Sequence, residues 1–127
     1  MIKRLIIFNE ENTNNRIYLK ENPEIPEEVF IYLKSEDVGC IAKIAGFAKT
    51  KIVKNEVFIN IKFFDTNNGK IAKSLNNAGF SFVAAGMGTI NQHEVIENYK
   101  MTGVFLINEP AVYGLYKRIL LTEKKIF

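Results

Sequence analysis

The sequence is poor in the residues that build metal centres and disulfide scaffolds. Its 127 residues include one cysteine, Cys40, and one histidine, His93. A single cysteine excludes an intrachain disulfide and fits a reducing compartment. One cysteine, one histidine and dispersed carboxylates do not supply the closed ligand set of a zinc site, so we expect neither a metal nor another cofactor.

Long apolar segments and a strong charge of one sign are also missing. The apolar run at residues 5–7 is far too short for a signal-peptide core or a membrane span. The chain has 17 basic and 14 acidic residues, a formal net charge of +3. That balance is too mild to indicate a nucleic-acid or membrane partner. We therefore expect a protein made and used in the cytosol.

Enough apolar residues remain to build one core. Hydrophobic residues make up 47% of the chain, and no repeat, linker or low-complexity tract divides it. A chain of this length forms one domain and buries roughly two-thirds of its unfolded surface. We expect a single domain over residues 1–127, with residues 110–127 as a C-terminal helix and tail.

Alternating apolar residues predict strands along most of the chain. The pattern is clearest at residues 57–64, which should form a hairpin with residues 47–54. Residues 2–8 and 16–19 are also read as extended. Residues 95–107 predict a long strand with four residues on one side: Met101, Gly103, Phe105 and Ile107.

Two segments carry helix signals besides the C-terminal one. Asp65 and Thr66 offer side-chain oxygens that cap a helix, and Gly79 would end it; an ion site there is the less favoured alternative. Pro26 suits a first helical turn and indicates a helix through Leu33, with a strand as the open alternative. The expected fold is α+β: a small, mostly antiparallel curved sheet or barrel with two to three flanking helices.

Three stretches, at residues 12–18, 63–70 and 78–111, taken in this order, resemble the prohead core (capsid maturation) protease family of tailed phages. Residues 12–18 are similar to that family's N-terminal segment, and residues 63–70 to its strand-to-helix junction. Residues 78–111 are similar to its glycine-terminated helix, nucleophile strand, glycine-rich turn and closing segment. The resemblance covers roughly residues 9–111. It implies a compact β-barrel serine protease, with a serine and a histidine at its centre, that cleaves scaffold and capsid proteins.

The catalytic residues that this resemblance implies are absent. Residues 38–43 occupy the place of the family's histidine and contain none. Ala84 and Ala85 occupy the place of its Ser-Arg pair. A serine hydroxyl is a poor nucleophile without a neighbouring base. Ser81 is the nearest serine, and a shift of two or three residues in the alignment would place it at the nucleophile position.

Several other features of the sequence have both a functional and a structural interpretation. Cys40 and His93 could form a nucleophilic pair, but a buried thiol and an exposed turn histidine are favoured. Lys43 or Lys49 could serve as the base for Ser81 only if strongly desolvated. Gly86 and Gly88 resemble part of a phosphate loop, but a bulge or tight turn beside a close backbone crossing is favoured. The phenylalanines could stack on RNA, but most should be core.

Together these observations predict a non-catalytic phage virion structural or capsid-assembly protein, expected in the virion after assembly in the host cytoplasm. It would bind capsid or other virion proteins, and homo-oligomerisation stays open. No catalytic residue is expected. The alternative is a divergent serine protease that matures phage proteins, with Ser81 and His93 as its site residues. An unrelated binding module whose likeness is fortuitous is the third hypothesis.

Overall fold

The computed structural model describes residues 1–108. It is an α+β fold in which a curled, mostly antiparallel half-barrel sheet carries one α-helix and two short 3-10 turns. The predicted fold class is confirmed. The predicted helix and tail at residues 110–127 lie outside the described residues.

The elements are β1 (Ile2–Ile7), β2 (Ile17–Tyr18), β3 (Glu28–Tyr32), β4 (Ile44–Val53), β5 (Glu56–Phe63), α1 (Asn67–Asn77), β6 (Ser81–Ile90) and β7 (Val95–Ile107), with 3-10 turns at Ser35–Asp37 and Ile41–Lys43.

The sheet runs in the order β1-β5-β4-β3-β7, and β7 also pairs with β6 along its other side and with β2 near its start. β2 and β3 run parallel to β7, and every other pairing is antiparallel. The predicted hairpin is confirmed as β4–β5, which turns at Lys54 in a left-handed conformation (φ 56°). The long last strand and the extended piece at residues 16–19 are confirmed as β7 and β2.

The segment after Pro26 is a strand, so the prediction of a helix there is wrong. In β3, buried Val29 and Ile31 alternate with exposed Glu28 and Phe30, which is a period of two. β3 pairs with β4 on one side and β7 on the other. Those two neighbours satisfy its backbone groups, and this tertiary pairing overrides the local helix signal of the proline and acidic residues.

Helix α1 begins and ends where the sequence indicates. The Thr66 hydroxyl accepts a hydrogen bond from the Gly69 amide at 3.1 Å, which caps the first turn. Gly79 takes a left-handed conformation (φ 102°) just past the end. Ala72 is buried in the core and Leu75 packs partly against it. Asp65 stays exposed and lies 3.6 Å from the Lys70 ammonium.

Bulges decide which side chains of β7 face the core. Ala85 lies opposite Gly103 but Gly86 lies opposite Met101, so Thr102 is an extra residue that inverts the alternation. Met101, Val104 and Leu106 therefore all reach the core. The prediction that Met101 shares a face with Gly103 and Phe105 is wrong, because a bulge has no clear sequence signature.

The core lies inside the half-barrel. Its most deeply buried large side chains are Phe8, Ile6, Ile31, Ile59, Met101, Val57 and Val104. Phe82 belongs to this core, and Phe63 and Phe80 pack partly against it, which confirms a core role for these phenylalanines. Adjacent Leu5 and Ile6 are both buried because β1 carries a bulge between Arg4 and Ile6.

Candidate functional site

An open groove of about 830 Å³ runs beside β6. The segment at residues 12–18 forms one wall, through Asn14, Arg16 and Tyr18, while residues 83–88 form the floor. These are the first and third stretches of the sequence resemblance, which are more than sixty positions apart in the chain. The fold thus brings them together, and we call this space the β6 groove. Its lining among the described residues is completed by Ile90, Ile96, Tyr99, Phe105 and Ile107.

The wall at residues 12–18 is held by one buried amide. Asn12 accepts a hydrogen bond from the Ile7 amide at 2.8 Å and donates to the carbonyls of Ile7, Glu10 and Arg16 at 2.9 to 3.1 Å. It is 8% exposed. The loop backbone therefore wraps around the Asn12 side chain, which fixes the position of Asn14 and Arg16 beside β6.

Tyr18 and Tyr99 meet inside the groove. Their ring centroids lie 4.5 Å apart, and Tyr18 accepts a hydrogen bond from the Asn14 amide at 2.7 Å. The Tyr99 hydroxyl is buried and has no hydrogen-bond partner among the described residues. The Tyr18 hydroxyl acts on it electrostatically and through a weak hydrogen-bonding contact that falls short of good geometry.

Burial sets the protonation of this pair. Loss of solvent raises the pKa of Tyr99 strongly, and the nearby Tyr18 raises it further. Burial also raises the pKa of Tyr18, although the hydrogen bond from Asn14 opposes part of that shift. Both phenols are therefore neutral at physiological pH. They can donate hydrogen bonds in the groove but cannot act there as general bases.

The groove floor contains two glycines, Gly86 and Gly88, at points where other groups approach it closely. A Cβ on Gly86 would lie 2.2 Å from the Lys100 carbonyl oxygen and 2.7 Å from the Tyr99 ring. A Cβ on Gly88 would lie 2.5 Å from Ile96 Cγ2. Both glycines lie within β6 at irregular pairing with β7, and no helix follows them. For these glycines the interpretation as a bulge with a close backbone crossing is confirmed, and the phosphate-loop alternative is wrong.

Ser81 and His93 are not brought together. Ser81 is the first of the ten residues of β6, whereas His93 lies in the exposed turn beyond its last residue, Ile90. A strand rises about 3.3 Å per residue, so β6 alone separates them by on the order of 30 Å. Lys43 and Lys49, the substitute bases considered from the sequence, are both exposed. Lysine is a general base only where it is desolvated.

Cys40 differs from its predicted environment. Its side chain is exposed in the loop between the two 3-10 turns, so the prediction of a buried thiol is wrong. The reason is local: residues 40–43 are all exposed, including Ile41 at 84%, because this loop lies outside the sheet. His93 is exposed in a turn, as predicted. Among residues 1–108, no group of three or more candidate ligands could hold a metal ion.

The first residue of the segment at residues 38–43 lies near the part of β7 that pairs with Ala85. Ala85 lies directly opposite Gly103, so both point to the same face of the β6–β7 pair. A Cβ on Gly103 would lie 3.4 Å from Val38 Cγ1. Residues 38–43 thus begin on the face that Ala85 occupies. Residue 85 carries only a methyl group, so no hydroxyl is available at this position.

No sequence pattern indicates the tyrosine pair itself. Tyr18 and Tyr99 belong to two of the resembling stretches, but only the parallel pairing of β2 with β7 sets their rings together.

Comparison with known proteins returns no match, either to a family model or to a curated protein or solved structure. Within residues 1–108, no helix has the length and apolar character needed to cross a membrane.

Proposed function

We propose that this chain is a non-catalytic virion structural or capsid-assembly protein of a tailed phage, built on a prohead-protease-like fold. It acts by binding capsid or other virion proteins, and it is assembled into particles in the host cytoplasm. The proposal starts from the three-part resemblance at residues 12–18, 63–70 and 78–111.

One observation carries the proposal. Ala85, in the place of the family's nucleophile pair, lies opposite Gly103, and Val38, the first residue of the segment in the place of the family's histidine, lies beside Gly103. Chance similarity of separate stretches gives no reason for these two residues to share a neighbour. Alanine has no group that can attack a peptide bond, which supports a role without catalysis.

The geometry also argues against the competing function, a divergent protease acting through Ser81. A base must lie within about 3.2 Å of the hydroxyl or be joined to it by one water. His93 is separated from Ser81 by the length of β6. This distance supports a role through the chain's surfaces rather than through a reaction of the Ser81–His93 pair.

A first experiment tests the absence of catalysis. The purified protein is treated with a serine-reactive fluorophosphonate probe, in parallel with a Ser81→Ala variant and an active serine protease. We expect no labelling of the wild-type chain. Labelling that the Ser81→Ala variant loses would establish the protease function and overturn the proposal.

A second experiment tests the location. Proheads and mature particles of the virus whose genome encodes this chain are purified and analysed by quantitative mass spectrometry. We expect the intact chain in at least one of the two particle types, at a stoichiometry that repeated washing does not lower. Its absence from both particle types would refute an assembly role, whatever the labelling result.

A further inference from the structure

Strands β3, β4 and β5 turn one face of the sheet away from the core. In β5 the buried residues Val57, Ile59 and Ile61 alternate with side chains that stay exposed or half-buried. β3 and β4 alternate in register with them. The outward side chains are Glu28, Phe30, Phe47, Lys49, Lys51, Phe58, Asn60 and Lys62, and Arg4 of β1 lies beside Phe58. We call this surface the outer face.

Aromatic rings and cations lie side by side on the outer face. The strand register sets Phe47 opposite Lys62, and it sets Phe58 between Lys51 and Arg4. Directly opposite residues of an antiparallel pair have Cβ atoms about 5 Å apart. A partner that covers either ring therefore also comes within reach of a positive charge.

Three phenylalanines form a strip along one end of the outer face. Phe30 lies opposite Phe47 and is 47% exposed. Phe64 continues the strip beyond the end of β5, and its ring centroid lies 6.0 Å from that of Phe47. Neighbouring exposed apolar groups on an otherwise polar surface mark a place where a partner docks.

The charges of the outer face favour an anionic partner. Its carboxylate at Glu28 lies opposite Lys49, and Arg4 pairs with Glu56 at 3.2 Å. Within residues 1–108, the remaining cations of the face, Lys51 and Lys62, make no ion pair. The formal net charge of the whole chain is only +3, so these two unpaired lysines represent a local excess.

Helix α1 extends this excess beside the aromatic strip. Lys62, Lys70 and Lys73 line an open groove of about 480 Å³ next to Phe64. The carboxylate in that groove, Asp65, lies 3.6 Å from the Lys70 ammonium. Lys62 and Lys73 are both exposed and stay free to bind an anion.

We propose that the outer face binds single-stranded nucleic acid. Bases stack on the strip of Phe30, Phe47 and Phe64, and phosphates bind the lysines that flank it. Every base has a flat π-face, so stacking on aromatic rings holds a strand with little sequence preference. Lysines that neutralise phosphates add affinity that falls as salt is raised. An acidic peptide would satisfy the lysines but would leave the exposed rings without flat partners.

The test measures fluorescence anisotropy of labelled oligonucleotides with the purified full chain. Oligo(dT) and oligo(U), each about 12 nucleotides long, should bind with a Kd below about 100 μM at low salt. Binding of either strand supports the inference, and the tighter one identifies the natural sugar. A duplex of the same length should bind at least about tenfold more weakly, because its bases stack on one another and cannot reach the rings.

Matched variants separate stacking from charge. Phe30→Leu keeps an apolar side chain but removes the ring, so Kd should rise about tenfold. Ile90→Leu, at a 57% exposed position on β6, is its control and should leave Kd unchanged. Lys62→Gln should lower the slope of log Kd against log salt concentration by about 0.7. Lys100→Gln, at an exposed position on β7, should not change that slope.

Three results would overturn the inference. One is a Kd that stays above about 100 μM for both strands at low salt. Another is equally tight binding of the duplex, or displacement of the strand by poly-glutamate of matched charge, since neither competitor can use the rings. The third is equal effects of the outer-face variants and their controls. The experiment needs no phage component, so its result is separate from the test of the proposed function.

Discussion

The phenol rings of Tyr18 and Tyr99 pack 4.5 Å apart and join the N-terminal loop to the long strand β7. The Tyr18 hydroxyl accepts a hydrogen bond from Asn14, whereas the buried Tyr99 hydroxyl has no well-aligned hydrogen-bond partner among residues 1–108. The two rings are thus close in space but unequal in hydrogen bonding, and this inequality can be measured.

Replacing each tyrosine by phenylalanine should have opposite effects on stability. Tyr99→Phe removes an unsatisfied buried hydroxyl, so the free energy of unfolding should rise by about 1 kcal/mol. Tyr18→Phe leaves the Asn14 amide without its acceptor, so the free energy of unfolding should fall by about 1 kcal/mol. Urea denaturation of the two variants provides the measurement. Equal losses in both would mean that the Tyr99 hydroxyl is satisfied after all.

The same pair should make the protein sensitive to alkaline pH. Burial raises both pKa values in the folded state above the ordinary 10.0, so the unfolded chain loses these protons first. Stability from the pair is therefore complete below pH 10 and declines as the pH rises above it. Unfolding free energies across this range should show a weaker decline in the Tyr18→Phe/Tyr99→Phe double variant. An identical decline in both proteins would assign the effect to other groups.

Asn12 should be among the most sensitive polar positions. Asn12→Asp keeps an acceptor for the backbone N–H of Ile7. It also places a carboxylate oxygen against the three backbone carbonyls to which the Asn12 side chain donates. We expect a loss of about 2–3 kcal/mol by urea denaturation, since buried polar groups would be left unpaired. Asn60→Ala, at an exposed position on β5, is the control and should cost less than about 0.5 kcal/mol. Similar losses at the two positions would contradict the anchoring role of Asn12.

Adding a methyl group at Gly86 should cost more than adding one at Gly39. At Gly86 the new Cβ would meet the Lys100 carbonyl at 2.2 Å, so β6 and β7 must separate locally. We expect a loss of about 3 kcal/mol or more. At Gly39 the space is open and only the positive φ of 92° opposes the change, at about 1 kcal/mol. Thermal unfolding of the two alanine variants gives the comparison, and a smaller loss at Gly86 would refute the close crossing.

Local chemistry was enough to predict several elements. The alternation at residues 57–64 marked β5 because one face of a strand must be apolar to reach the core. Thr66 and Gly79 marked the ends of α1, because capping and a left-handed residue are properties of single side chains. The small residues Ala84, Ala85, Gly86 and Gly88 indicate a close backbone crossing, although they do not indicate which strand approaches them.

The α+β class, the β4–β5 hairpin and the limits of α1 follow from local sequence, since each depends on residues near one another in the chain. Three other features arise only when distant segments pack together: the strand at residues 28–32, the bulge at Thr102 and the exposure of Cys40. The Tyr18–Tyr99 contact arises in the same way. Each of these depends on a neighbouring strand or loop distant in sequence, whose backbone groups and bulk compete with the local preference and override it.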